Sequence, residues 1–229
     1  SSVASTSGIT TVAGGTLNGK VTIGAGTTNA HGLTIDQAIS TTPGLAGTAG
    51  GTVTLEATGA IATSNSGTMT TTGNGSGAGG EIFIHHTSAG AADITLGKNV
   101  TATGGASGNG GVVTVLNDNG NIAVNATIDV SKGASGTTDG TIQLQATDSI
   151  TDNAAGKLIG DTNGKLVAKT TNTTGTAKIS LTGNGTSSLS TNNAMANAAF
   201  ATATSGDGSV TYYDSTGLTI TTVGGQGAL

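Results

Sequence analysis

The sequence predicts an all-β chain wound into a three-sided parallel β-helix, a solenoid of about seven coils of roughly 30 residues. Three observations predict it. A short phrase recurs: one or two glycines, one residue, then two aliphatics separated by one residue. Its anchoring glycines, Gly19, Gly51, Gly80, Gly111 and Gly140, stand 32, 29, 31 and 29 residues apart. The rest of the chain offers little for a conventional core, with 2% aromatic and 8% charged residues. Disordered chains are poor in hydrophobics too, but they lack regular aliphatic doublets.

The phrase itself reads as the first strand of each coil. It occurs as Val21-Thr22-Ile23, Val53-Thr54-Leu55, Ile82-Phe83-Ile84, Val113-Thr114-Val115 and Ile142-Gln143-Leu144. Side chains alternate across a strand, so the two aliphatics of each copy share the inner face. Ten to fourteen residues after the glycine comes a second doublet: Leu33/Ile35, Ile94/Leu96 and Ile122/Val124, reduced to a lone Ile61 or Ile150 in weaker copies. A third strand follows at Met69, Val100, Ile128/Val130 and Leu158. Gly, Asn, Asp and Ser between them turn the chain. Each strand then pairs with its counterpart one coil away, which satisfies the backbone between coils. The glycine-rich runs 73–80 and 104–111 fall between the third strand and the next anchor, so they read as corners rather than linkers.

Past the regular coils the phrase continues at Gly164-Lys165-Leu166-Val167-Ala168, with Ile179/Leu181 as a second doublet and Leu189 as a candidate start of the next strand. Asn192 to Ala203 has the chain's one helix-compatible composition and is expected to be a loop or a short turn. Gly208-Ser209-Val210-Thr211-Tyr212 then reads as another anchored first strand, followed by Leu218/Ile220. These last anchors are 24 and 44 residues apart, which suggests one compact coil and one enlarged by a loop insertion near 192–206. Residues 1–229 read as a single β-helix domain with a partial turn at 1–16, a rod roughly 35 Å long at about 4.8 Å per coil.

Charge narrows the function classes. Seven lysines, no arginine and twelve acids give a net charge of −5. Without arginine, the preferred bidentate grip on phosphate, a nucleic-acid role is disfavoured. There is no cysteine, so neither disulfides nor thiolate metal sites are expected. No hydrophobic run reaches the length of a membrane span.

The coils resemble the filamentous-haemagglutinin type of bacterial exoprotein, the two-partner-secretion adhesins and their autotransporter relatives. The segments that carry the resemblance are 94–115 (ITLGKNVTATGGASGNGGVVTV), 122–144 (IAVNATIDVSKGASGTTDGTIQL) and 208–223 (GSVTYYDSTGLTITTV). The resemblance implies a right-handed helix, export to the cell surface, and a role in attachment, aggregation or biofilm. It implies as partners a receptor or glycan on a host or neighbouring cell, and an outer-membrane transporter during export. The Asn-Pro-Asn-Gly secretion motif and a strand-rich carboxy-terminal barrel segment are not found, so the chain reads as part of the repetitive shaft or as a small relative made only of shaft. An alternative is an extracellular filament or matrix subunit that stacks end to end, since open solenoid ends template pairing.

A carbohydrate-active β-helix enzyme ranks last. Asp129, Asp148, Asp152 and Asp161 fall in neighbouring coils, but Asp129 alternates outward and the others sit in turn-like contexts, with no basic residue paired to the group. His85 and His86 point to opposite faces, so surface or structural roles are favoured for them and for His31. Gly206-Asp207-Gly208 is a single copy of a calcium-repeat-like triplet and makes no site. No cofactor or metal is expected. Only one coil, with Thr52 and Thr54, presents two outward threonines, too few for an ice-binding face. Asn74, Asn99, Asn125, Asn172 and Asn184 begin Asn-x-Ser/Thr triplets and are candidate glycosylation positions. Phe83 and Val112 both point outward in adjacent coils and form a candidate contact surface, with Tyr213 outward farther along the rod.

Overall fold

The structure, a computed structural model, describes residues 9–10, 19–26, 31–173, 177–183, 193–202 and 208–220. The described residues form strands, numbered β1 to β21, in three parallel sheets and no helix. The broad first sheet stacks β2 (Lys20–Ala25), β5 (Thr52–Ala57), β8 (Glu81–His86), β11 (Val112–Asn117), β14 (Thr141–Ala146), β17 (Lys165–Thr170), β19 (Asn197–Ala201) and β21 (Thr219–Ile220). The second stacks β3 (Leu33–Ile35), β6 (Ile61–Thr63), β9 (Ile94–Leu96), β12 (Ile122–Val124), β15 (Ile150–Asp152), β18 (Lys178–Leu181) and β20 (Ser209–Tyr212). The third stacks β1 (Ile9–Thr10), β4 (Ile39–Ser40), β7 (Met69–Thr70), β10 (Val100–Thr101), β13 (Thr127–Asp129) and β16 (Lys157–Ile159). The fold is the expected parallel β-solenoid, with about six turns of roughly 29 residues.

Register makes the core. Val53, Ile82, Val113, Ile142 and Leu166 lie on one another in successive turns, and Leu55, Ile84, Val115, Leu144 and Ala168 form a parallel ladder beside them. All ten are buried. The second sheet adds Leu33, Ile61, Ile94, Ile122, Ile150 and Ile179 in one column. Burying each such side chain contributes about 1.5–3 kcal/mol.

The weaker copies have a physical explanation. In β6 the second inward position is Thr63, whose hydroxyl accepts from the Lys98 amide at 2.9 Å. In β15 it is Asp152, which accepts from the Thr182 and Gly183 amides at 2.9 and 2.7 Å. A ladder position is given up to clamp the corner of the next turn.

The anchoring glycines are needed for close approach. A Cβ on Gly51, Gly80 or Gly140 would lie 1.9 Å from the carbonyl oxygen of Gly19, Gly51 or Gly111, the anchor one turn below. The glycine-rich corners stack in the same way. The Gly105 amide donates to Gly77 O, Ser107 to Gly75 O, Gly133 to Gly108 O and Ser135 to Ala106 O, each at 2.9 Å. The corners therefore form a hydrogen-bonded flange along the rod, built where no side chain fits.

Two expectations at the far end are corrected. The stretch expected as a loop contains β19, which pairs with β17 and buries Ala198 and Phe200. Ser209–Tyr212 is not an anchored first strand. It is β20 on the second sheet, with Val210 on Ile179 and Tyr212 on Leu181. The 44-residue gap between Gly164 and Gly208 is thus not one enlarged coil, because β19 is inserted as a further first-sheet strand. Leu189 and most of residues 1–16 lie outside the described residues.

Candidate functional surface

The outer side of the broad sheet is built by the alternation that fills the core. Residues one, three and five positions after each anchor face outward. In β8 these are Glu81, Phe83 and His85; in β11 they are Val112, Thr114 and Leu116. Register places Val112 beside Glu81 and Phe83 between Thr54 and Thr114. Val112 is 36% exposed, while Phe83 and Leu116 are half-buried. The Phe83 ring meets the His85 ring edge-on, with centroids 5.7 Å apart and planes at 71°. His85 is held from the next turn by Asp118, Nε2 to Oδ2 at 3.0 Å. The structure therefore brings Phe83 and Val112 onto one face, where they are joined by Leu116. That residue was missed because the outward positions were followed only to the third residue after the glycine, whereas the strand runs to the sixth. Tyr213 is outward, 42% exposed, and stands apart from this face.

Charge on the same face is unevenly placed, with Lys20 exposed in β2 at one end. Glu56 and Glu81 are exposed in β5 and β8, and Lys165 and Lys169 occupy the first and fifth outward positions of β17. The strands between them, β11 and β14, carry no charged outward side chain.

The histidine pair divides by alternation. His85 is outward, and His86 is fully buried at the inner corner, where its Nδ1 pairs with Asn117 Oδ1 at 3.0 Å. Asn117 donates to Ala92 O and Asn121 O and accepts from the Asn119 amide. This is an inward polar clamp among the apolar ladders. His86 Nε2 has no hydrogen-bond partner. His31 is half-buried beside Thr58.

The four acids do not assemble. Asp148 accepts from Asn172, and Asp152 clamps Thr182 and Gly183. Burial raises the Asp152 carboxyl above its ordinary range, against those amide bonds. Asp129 accepts from Ser131. Asp161 lies near Asp129 and the buried Asp139; desolvation and then these two carboxylates raise its pKa. Lys132 and Lys157 lie close enough to lower it. Asp139, unremarked in the sequence, accepts from the Lys132 amide at 2.8 Å and the Asn163 amide at 3.0 Å. An open groove of about 460 Å³ runs past Asp161, Thr162, Ala196, Thr216 and Gly217.

Two of the Asn-x-Ser/Thr positions have their amide nitrogens in use. Asn74 donates to Pro43 O, and Asn172 donates to Asp148. Asn99 is exposed and accepts from the Thr127 amide, and Asn125 is half-buried. Asn184 and Asp207 lie outside the described residues. Among the described residues no three His, Asp or Glu side chains gather as a metal-holding group, and no helix is long and apolar enough to cross a membrane.

Fold and surface together define a parallel β-solenoid whose broad sheet carries an apolar patch on its outer side. No protein-family model matches the chain, and comparison with curated proteins and with solved structures finds no match.

Proposed function

We propose that the chain is a structural and adhesive shaft, a segment of a secreted or surface-displayed bacterial adhesin that acts in attachment, aggregation or biofilm. The observation that carries this reading is the outer face of the broad sheet. Phe83, Val112 and Leu116 are held on a hydrogen-bonded ladder, and Phe83 packs on His85, which Asp118 holds from the next turn. Apolar side chains gathered on an open sheet mark contact surfaces. The extracellular setting follows from the same reading, as do a receptor or glycan on another cell and a transporter for export. Asn99 is the candidate glycosylation position whose exposure suits modification.

The test is attachment of beads or cells displaying the chain. Displayed chain should raise attachment or clumping severalfold over bare particles. Replacing Phe83 and Val112 with serine should remove that gain while the β-rich circular dichroism is kept. Equal attachment by displayed chain and bare particles would refute the reading.

A further inference from the structure

The outer face of the broad sheet is complementary to itself when turned end for end. Glu56 and Glu81 lie in the second and third strands of the sheet, β5 and β8. Lys165 and Lys169 lie in the sixth, β17. Val112 and Leu116 lie in the fourth, β11, midway between acids and bases. A two-fold axis parallel to the strands and crossing over β11 reverses strand order and keeps each residue's place along its strand. It sets Glu56 against Lys169 of a second copy, both at the fifth outward position. Glu81 comes within one strand spacing, about 4.8 Å, of the second copy's Lys165 position. Val112 and Leu116 meet their own counterparts at the axis. Lys20, exposed at the first outward position of β2, falls opposite the second copy's Asn197 and one strand spacing from its Lys165, and no like charges fall directly opposite one another.

We propose that two copies of this chain pair face to face and antiparallel through this sheet. The arrangement is isologous and closes at two, unlike end-to-end stacking, which is open-ended. Five strands about 4.8 Å apart and six residues of about 3.3 Å each make a face of roughly 24 by 20 Å, so a pair buries on the order of 1,000 Å² in total. That area is at the lower end for a specific interface, so the pairing is weak and reversible, and the charge pairs set its orientation. The proposal does not depend on attachment to other surfaces: the chain can pair without adhering to anything else, or adhere without pairing.

The test is sedimentation of the full chain over a concentration series. A monomer–dimer equilibrium is expected, weakened about tenfold or more at roughly 0.5 M salt, where the charge pairs are screened. Glu56→Lys and Lys169→Glu should each abolish self-pairing, because each sets like charges opposite one another twice. Mixing these two variants should restore a dimer, now mixed, and the double variant Glu56→Lys/Lys169→Glu should again pair with itself. Leu116→Asp should prevent every pairing. A folded monomer at all concentrations, open-ended polymers, or failure of the mixed variants to pair while each keeps its β-rich circular dichroism would overturn the proposal.

Discussion

The turns from β5 to β16 and those from β17 onward follow one fold by different means. In the first region the first-sheet aliphatic ladders run without a break, and the glycine flange bonds each corner to the next chiefly through backbone. In the second region the corner shrinks to residues 160–163 and the flange ends. Side chains replace it. Buried Asn193 accepts from the Leu158 amide at 2.8 Å and donates to Leu181 O and Tyr213 O. Asp214 accepts from the Met195 amide, the Tyr212 hydroxyl and the Thr216 and Gly217 amides. Burial, then the Asp214 charge, raises the Tyr212 hydroxyl far above its ordinary value and keeps it a donor. A solenoid can thus be continued by polar clamps once repeat length is no longer kept.

The comparison breaks most strongly in the regular region. Ile122 is fully buried in the second-sheet column, and Ile122→Ala should cost about 2–5 kcal/mol. Because turns contact mainly their neighbours, the loss should lower the unfolding transition of the regular region in heat or urea. A drop under about 1 kcal/mol would mean that the ladder relaxes around the cavity.

Asn193→Ala strips partners from three backbone groups and should cost about 3 kcal/mol, at roughly 1–3 kcal/mol per unsatisfied buried group. Here the location of the effect matters more than its size. Amide exchange should quicken in β17 to β20 and stay unchanged in β5 to β12. Uniform quickening would show that the two regions are one cooperative unit.

Gly108→Ala tests the flange. The added Cβ would stand 1.8 Å from Gly77 O, so the corner must open, at a cost of about 1–3 kcal/mol. Exchange should rise at Gly105, Gly133 and Ser135, whose amides bond across the flange. Unchanged exchange at these amides would show that the corners are independent loops.

The regular region was legible because its signal is local. Two aliphatics after a glycine declare a strand and its inner face, and a period near thirty declares the stacking. β19 was hidden because Asn197-Ala198-Ala199-Phe200-Ala201 has no anchoring glycine and its alanines read as helical. Only the need to cover Leu166 and Ala168 of β17 makes it a strand. Gly208 misled for the opposite reason: a phrase-like Ser-Val-Thr-Tyr follows it, yet that strand lies on the second sheet. Phe83 and Val112 were legible by alternation. The placement of Glu56 and Lys169 on either side of β11 was not, because it exists only once register sets strands more than 100 residues apart on a common face.

The smallest expected effect lies at the step between the two regions. Asp161 holds a positive φ of 31°, a conformation that asparagine also tolerates, so Asp161→Asn changes charge with little change of backbone strain. Its folded-state pKa is raised, by desolvation first and by Asp139 and Asp129 next. The folded chain therefore holds this proton more tightly than the unfolded chain. The contribution of the group is most favourable below the ordinary carboxylate value and is lost as pH rises through the raised folded value. Asparagine has no such slope. The variant should match the wild type in acid and become more stable above that window, by no more than a few tenths of a kcal/mol after solvent screening. Urea midpoints measured from pH 3 to pH 7 read the difference directly. An advantage that shrinks as pH rises would mean that Lys132 and Lys157, which lower this pKa, outweigh the two neighbouring carboxylates.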